Sequence, residues 1–413
     1  MRLSREWVVI TAFLAAVFCF FVAPTFLNSE AKMAFPSYVP AVSPIGVDLN
    51  QMLSYSESWV NGSTPYIGWN LYPPFASIIF TPILSLSPHA AYSLITAISF
   101  LCVVLCCLVL VWLLRGKRPL GSVAYLMFIP FVLSYGLQFE LERGQFNAIA
   151  MTAALAAIYL FHYLPRLRKL AYLLFILAVS LKVYPLVFLP LLIDDWRAWR
   201  ANALRLTGLL AANFAMLFVL GWEVFKDFLG AINNQIVNPG IWVGNHSIRS
   251  YLTQLSSGDQ LGFSLQGWRW GVENIEIIEK ILLAAIVAAI LLVAWKAFKR
   301  NERGINSELL MICTIAALLI PPVSHDYKLA ILGGPIIICL QSWQERQCGR
   351  KTSLAIKTLL AVFVFFFAST LFSYALKPEL LASNTPALII LTVVTTAMAL
   401  MPRQTQASEG DYA

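Results

Sequence analysis

The stretch LAYLLFILAVSLKVYPLVFLPLLI, Leu170 to Ile193, is twenty-four residues long, almost wholly apolar, and flanked on both sides by basic residues. Arg166, Arg168 and Lys169 precede it, and Arg197, Arg200 and Arg205 follow. Clusters of Lys and Arg mark the cytoplasmic side of a membrane, so the chain between two of them must cross an even number of times. One crossing of a ~30 Å hydrocarbon layer takes about 20 residues at 1.5 Å per residue. Twenty-four residues are too many for no crossing and too few for two full ones. A pair of short helices, 170–182 and 184–193, breaking near Lys182 to Pro185, satisfies both conditions. Backbone broken at membrane depth is tolerated only where protein or a water-filled cavity satisfies its polar groups. The stretch therefore predicts a bundle with a cavity.

Composition supports the same solvent. Of 413 residues 59% are hydrophobic and 12% charged, where a soluble domain carries roughly a quarter charged residues. Apolar runs recur at Trp7 to Leu27, Ser93 to Leu114 and Ile281 to Trp295. The first is too long for a signal-peptide core and has no small-residue cleavage site, so it is read as a retained helix. Further basic clusters at 115–118, 296–303 and 346–351 are cytoplasmic by the same rule, and the intervening 28–73, 139–144, 223–275, 322–326 and 375–384 face outward. The count that closes is twelve transmembrane helices with both termini cytoplasmic: 7–27, 90–114, 119–138, 145–163, the short pair, 202–222, 278–298, 307–321, 327–342, 354–374 and 385–401. Residues 74–87 must then be re-entrant or interfacial, and 402–413 a disordered cytoplasmic tail. The fold class is an all-α polytopic membrane protein in one domain, 1–401.

The formal charge of +8 sits in these short clusters and not on a continuous face, which argues against nucleic acid as a partner. Cys19, Cys102, Cys106, Cys107, Cys313 and Cys339 lie in apolar runs and Cys348 in a basic loop, without CxxC or metal-ligand spacing. That excludes a disulfide framework and a zinc site as readings.

Ionisable residues at membrane depth are expensive and by default mark function. Five places qualify, all on the outward side. They are Asp48 in the first long loop with Tyr66 and Tyr72 after it; Glu140, Glu142, Arg143, Gln145 and Asn147; Lys182 at the break; Asn245 and His246; and His325, Asp326 and Lys328. Each alone has an ordinary explanation. Asp48 would serve as a helix N-cap, Gln145 and Asn147 as inter-helix glue, Lys182 as a snorkelling cation, His325 as a structural histidine. Gathered on one face, they are what one cavity requires.

In this order the elements Val47-Asp48-Leu49, Gly62-Ser63-Thr64-Pro65-Tyr66, Leu71-Tyr72-Pro73-Pro74, Glu142-Arg143-Gly144-Gln145-Phe146-Asn147, Lys182-x-x-Pro185, Gly244-Asn245-His246-Ser247 and Ser324-His325-Asp326-Tyr327 resemble glycosyltransferase family 87. These are membrane enzymes of the GT-C fold, mannosyltransferase-like, that use polyprenyl-phosphate sugars. The delayed aspartate, after the long stretch 28–47, departs from the pattern and leaves Glu57 behind Asp48 as a second carboxylate. The resemblance implies a polyprenyl-phosphate hexose donor, mannose by default with arabinose, glucose or galactose open. It further implies a lipid-linked or envelope glycan acceptor, and a site on the periplasmic or exterior side of a bacterial inner membrane. Asp48 is expected as the base that deprotonates the acceptor hydroxyl, with inversion at the anomeric carbon. Lys182 and His325, then Lys328 and Arg143, are expected at the donor phosphate. Tyr66, Tyr72, Glu142, Gln145, Asn147, Asn245 and Asp326 are expected around sugar and acceptor, with Trp69, Trp242, Trp268 and Trp270 open to sugar stacking or to an aromatic belt. No cofactor is expected; without a DxD sequence the cations would serve the phosphate, which leaves a divalent metal open. Membrane lipid is the remaining partner, and an apolar groove would take the prenyl chain.

Two other readings fit a polytopic chain: a secondary transporter or lipid-linked sugar flippase, and a non-catalytic envelope-assembly protein. The gathering of ionisable residues on one face instead of at the midplane speaks against the first.

Overall fold

The computed structural model describes residues 46–114, 127–128, 131–132, 134–238, 240–242, 244–257, 269–345 and 383–402. The expected spans 7–27 and 354–374, most of 119–138, the basic loops 115–118 and 346–351, Trp268, Cys19, Cys348 and the tail from 403 lie outside them. Within them all regular structure is helical, with one isolated antiparallel bridge between Asn245 and His325.

In chain order the helices are α1 (Val47–Val60), α2 (Pro74–Phe80, continued as a 3₁₀ turn Thr81–Ser85), α3 (Pro88–Leu114), α4 (Tyr135–Arg143), α5 (Asn147–Tyr163) and α6 (Arg168–Leu181). A 3₁₀ segment Tyr184–Leu192 follows, then α7 (Trp199–Met216), α8 (Trp222–Val237), α9 (Ile248–Ser257), α10 (Arg269–Glu273), α11 (Ile275–Arg300) and α12 (Ser307–Leu319). A second 3₁₀ segment, Asp326–Leu332, leads into α13 (Gly333–Glu345), and α14 is Thr385–Leu400.

Starts follow local chemistry. Ser87 accepts from Ala90 N and is followed by Pro88 in the first turn of α3, and Asn306 accepts from Leu309 N at the start of α12, both ordinary N-caps. The core sits around α12, whose thirteen residues are all buried; a helix apolar on every side belongs at the centre. α11 is equally apolar but exposes Ile277, Ile281, Val287, Leu291 and Trp295, the face of a helix meant for lipid.

α3, of 27 residues, and α11, of 26, are long and apolar enough to cross a membrane. The bent pair Gly136–Arg143 and Asn147–Tyr163, at 111°, makes a third if taken as one span. The chain is thus a helical membrane protein; of the twelve expected helices, 7–27, 354–374 and most of 119–138 lie outside the described residues. Pro74–Ser85, Ser307–Leu319 and Thr385–Leu400 are apolar but short.

The break expected near Lys182 is present: α6 ends at Leu181, Lys182 is extended, and a 3₁₀ segment takes over at Tyr184. Elsewhere the chain departs from expectation. The first loop is helical from Val47, and 139–144 is the end of α4 instead of a loop. The helix expected at 202–222 ends at Met216, and Gly221 at φ 97 turns the chain into α8, inside the expected loop 223–275. The reversal is held by rings: Phe218 stacks on Trp222 at 5.8 Å, and Phe225 lies 4.1 Å from Phe218.

Candidate active site

The site begins with two glycines. Gly46 and Gly144 both adopt left-handed backbone, φ 76 and 66, a region nearly closed to side chains other than glycine's. They also touch: a Cβ on Gly144 would stand 2.9 Å from the Leu49 Cβ and 3.4 Å from the Gly46 Cα, and one on Gly46 would stand 2.7 Å from the Tyr92 ring. Gly46 N donates to Glu142 O at 2.9 Å, and Tyr92 OH to Leu141 O at 2.9 Å. Leu49 and Met52 are then fully buried. This close approach sets the first turn of α1 against the α4–α5 corner, and with it Asp48.

Asp48 caps nothing. The N-cap of α1 is Gly46, without a side-chain cap bond. The carboxylate instead accepts from Gln145 Nε2 at 2.7 Å through Oδ2 and lies 3.5 Å from the Arg143 guanidinium through Oδ1. Gln145 Oε1 accepts from Lys182 Nζ at 2.8 Å. The carboxylate demands the NH₂ end of the amide and the ammonium demands its oxygen, so the Gln145 orientation is fixed by its neighbours. Tyr72 OH stands 3.1 Å from Gln145 Nε2. Lys182 Nζ lies 4.3 Å from the Tyr72 ring centre and 4.3 Å from that of Phe146, contacts worth about 0.5–2 kcal/mol each. Arg143 lies over Phe139 at 4.8 Å and 3.5 Å from Glu142.

Around this centre Tyr66 OH donates to Tyr72 O at 2.8 Å; burial, and then Asp227, raises its phenol well above the usual range. Tyr184 OH donates to Asn147 O at 2.8 Å, tying the 3₁₀ segment that follows Lys182 to the start of α5. Glu140, fully buried, accepts from Ala148 N at 2.7 Å. It answers the first turn of α5, whose own N-cap, Phe146, offers no side-chain acceptor.

A second group joins the segments 240–247, 322–327 and 383–385. Asn245 Oδ1 accepts from Ser247 N and Ser324 N, and its Nδ2 donates to Gly240 O and Pro322 O. His246 Nε2 faces Asp326 Oδ1 at 2.8 Å, Asn384 N donates to His246 Nδ1 at 3.3 Å, and Thr385 Oγ1 donates to His246 O at 3.0 Å. Nδ1 being the acceptor, Nε2 carries the proton toward the carboxylate. His325 stacks on Tyr327 at 4.8 Å and lies 4.5 Å from Trp242. Burial, reinforced by Arg143, Lys182 and His246 against Asp326, pushes His325 down to about 4. It is therefore a neutral ring near pH 7, not a cation. Lys328 Nζ donates to Ala317 O at 2.7 Å.

The fold thus brings Asp48, Tyr72, Arg143, Gln145 and Lys182 into direct contact, with Tyr66, Glu142 and Asn147 tied to them. His325 and Lys328 stand one layer out, within the electrostatic reach of Lys182. Asn245 and Asp326 hold the loops beside them. Trp69 and Trp270 are exposed. Among the described residues no three His, Cys, Asp or Glu side chains converge as metal ligands would. Tyr327 and the glycine pair escaped the sequence reading. Tyr327 was within the quoted motif, and the mutual approach of two glycines a hundred residues apart has no local signal.

A carboxylate, an amide and an ammonium in line at the corner of a broken helix define a membrane protein with a built polar site. The chain belongs to glycosyltransferase family 87, whose model matches residues 70–322, more than half its length. The match takes in Tyr72, Glu142 to Asn147, Lys182 and Asn245, while Asp48 and His325 to Lys328 fall on either side of it. No curated protein matches the chain.

Proposed function

We propose that this glycosyltransferase moves a hexose, mannose first, from a polyprenyl-phosphate donor to a lipid-linked or envelope glycan acceptor, at the extracytoplasmic face of a bacterial inner membrane. Asp48 acts as general base. The acceptor O–H attacks the anomeric carbon, its proton passes to the Asp48 carboxylate, the bond from that carbon to the phosphate oxygen breaks, and polyprenyl phosphate leaves with the electron pair. One displacement inverts the centre, so a β-linked donor yields an α-glycoside.

The observation that carries this reading is the line Asp48, Gln145, Lys182. It offers a carboxylate for the attacking hydroxyl and, one amide away, an ammonium for the charge growing on the leaving phosphate, in a site partly withdrawn from water where such charge matching is strongest. Arg143 is the second cation. His325, neutral, would donate a hydrogen bond instead of a charge, and Lys328 acts from the outer layer.

The test is transfer from radiolabelled polyprenyl-phosphate mannose to candidate glycolipid acceptors by purified protein, wild type beside Asp48→Asn. Equal transfer by both removes Asp48 as the base. A wild-type protein inert toward every polyprenyl-phosphate sugar removes the donor class.

A further inference from the structure

Tyr72 walls the polar line on one side, its hydroxyl 3.1 Å from Gln145 Nε2 and its ring centre 4.3 Å from Lys182 Nζ. It comes from a connection, 61–73, that has no helix or strand of its own. Such a segment places a side chain only as firmly as its own bonds hold it. Within it, buried Asn70 donates from Nδ2 to Pro65 O at 2.7 Å and accepts at Oδ1 from Tyr72 N at 3.0 Å. Tyr66 OH donates to Tyr72 O at 2.8 Å. Both main-chain polar groups of Tyr72 are thereby fixed to the Pro65–Tyr66 pair. That pair is held in turn by Thr64, whose hydroxyl accepts from Tyr66 N at 3.3 Å and donates to Asp227 Oδ2, on α8, at 2.7 Å. The Thr64 carbonyl accepts from Ser58 Oγ, on α1, at 2.9 Å. Phe228, the next residue of α8, is buried with its ring 5.7 Å from that of Tyr66. Bonds run without interruption from Asp227 to Tyr72, and the mechanism above makes no use of α8.

We propose that Asp227 is a positioning residue: from α8 it fastens the connection 61–73 through the Thr64 hydroxyl and so sets Tyr72 against Gln145 and Lys182. The bearing of that placement on sugar transfer rests on the function proposed above; the placement itself does not. A purely structural bond would fasten the connection to α8 and leave the cover over Lys182 unchanged.

The bond can be removed from either end, by Asp227→Ala or by Thr64→Val, and kept by Asp227→Asn or Thr64→Ser. The readout is the rate at which acetic anhydride labels Lys182, followed by mass spectrometry, on the full chain in lipid nanodiscs at one pH. Exposed Lys280 gauges reagent dose, and buried Lys328, bonded to Ala317 O, gauges general loosening. Labelling of a buried amine follows local opening, and one hydrogen bond shifts such an equilibrium about two- to tenfold. D227A and T64V should therefore label faster at Lys182 by about that factor, with Lys328 unmoved. D227N and T64S should stay at the wild-type rate, and D227A combined with T64V should gain nothing over either alone. An unmoved Lys182, even where chymotrypsin cuts faster at exposed Trp69, makes the bond a fastener of the connection alone and overturns the proposal. A parallel rise at Lys328 also overturns it. Should one variant not fold, the other decides, since each breaks the same bond. Faster labelling at Lys182 in a protein inert toward every polyprenyl-phosphate sugar supports the placement while removing the proposed reaction.

Discussion

Asp48 and Lys182 are joined through one side chain: the Gln145 amide donates to the carboxylate at 2.7 Å and accepts from the ammonium at 2.8 Å. An amide is the one short side chain that presents a donor to an anion and an acceptor to a cation while adding no charge of its own. Gln145→Leu keeps the bulk and removes both bonds. A hydrogen bond to a charged group contributes about 1.5–3 kcal/mol, so kcat/KM for a polyprenyl-phosphate sugar should fall by one to two orders of magnitude. Gln145→Glu should do worse, because a second carboxylate meets Asp48. Steady-state transfer rates for both variants decide it; a Glu variant as active as wild type would contradict the bridging role.

Asp48→Asn leaves shape and the contact with Gln145 while abolishing basicity. General base catalysis contributes about 10²–10⁴-fold, and the loss should appear in kcat with KM for the donor little changed. A loss confined to KM would mean that Asp48 binds substrate and does not take the proton. Glu57, on the same helix, should tolerate Gln.

Gly144→Ala tests the corner itself. Left-handed backbone costs a side-chain-bearing residue roughly 1–2 kcal/mol, and the added Cβ meets the Leu49 Cβ at 2.9 Å, so α1 must retreat and take Asp48 with it. We expect a lower unfolding temperature in detergent together with a loss of transfer larger than the stability change alone would produce. Gly68, also left-handed but with open space around it, is the control. Its Ala variant should show the conformational strain and keep transfer.

Much of this was legible beforehand, and the reasons are physical. The break at Lys182 followed from counting residues between basic clusters, which depends only on bilayer thickness. Asp48, Arg143, Gln145 and Lys182 stood out because ionisable and amide groups are rare in apolar sequence. What stayed hidden depends on distant contacts. α1 lay in a stretch classed as external loop because it is poor in Lys and Arg and rich in carboxylates and aromatics, yet Leu49, Met52, Tyr55 and Ser56 form its buried face. The end of α7 at Met216 was masked by an apolar run that continues to Trp222; hydropathy does not register a reversal held by stacked rings. Glu140 was noticed as one of a polar cluster but given no role, since the bond it accepts from Ala148 N exists only once the α4–α5 corner is folded.

His325 makes the acid side of the stability profile testable. Its folded value of about 4 lies below the ordinary 6.5, so between those two pH values the unfolded chain binds a proton that the folded chain does not. Stability therefore falls as pH drops from 6.5 toward 4, and this residue contributes no slope above that window. His325→Gln, which does not titrate, should flatten that limb in thermal unfolding followed from pH 7.5 to 4. At pH 7.5 it should show only the loss of ring contacts with Trp242 and Tyr327, about 0.5–1.5 kcal/mol. An unchanged acid limb would mean that the ring protonates freely in place.

At the far end of α5, about 24 Å from Asn147 at 1.5 Å per residue, Asp194 ties three segments together. It receives Arg168 from α6 and Arg205 from α7, the latter at 3.0 Å, and both guanidiniums lie over Phe161, at 5.0 and 4.7 Å. Partial burial would raise the Asp194 carboxyl, but Arg205 and Arg168 outweigh it and hold the group below its usual 3.8. A depressed carboxylate contributes stability that is complete above the unfolded value and lost only as pH falls through the folded one. Asp194 should therefore add no slope between pH 5 and 8. Asp194→Asn removes the contribution throughout that range. With Arg168 35% and Asp194 25% exposed, solvent screening limits the loss to about 1 kcal/mol, and Arg205 keeps its bonds to Leu192 O and Asn202 Oδ1. Unfolding should shift by a few degrees while transfer below the unfolding temperature stays within about twofold of wild type, since ~1 kcal/mol at a remote site adds little to a catalytic barrier. A loss of transfer comparable to that of Gln145→Leu would mean instead that this pair sets the position of Lys182 through α6.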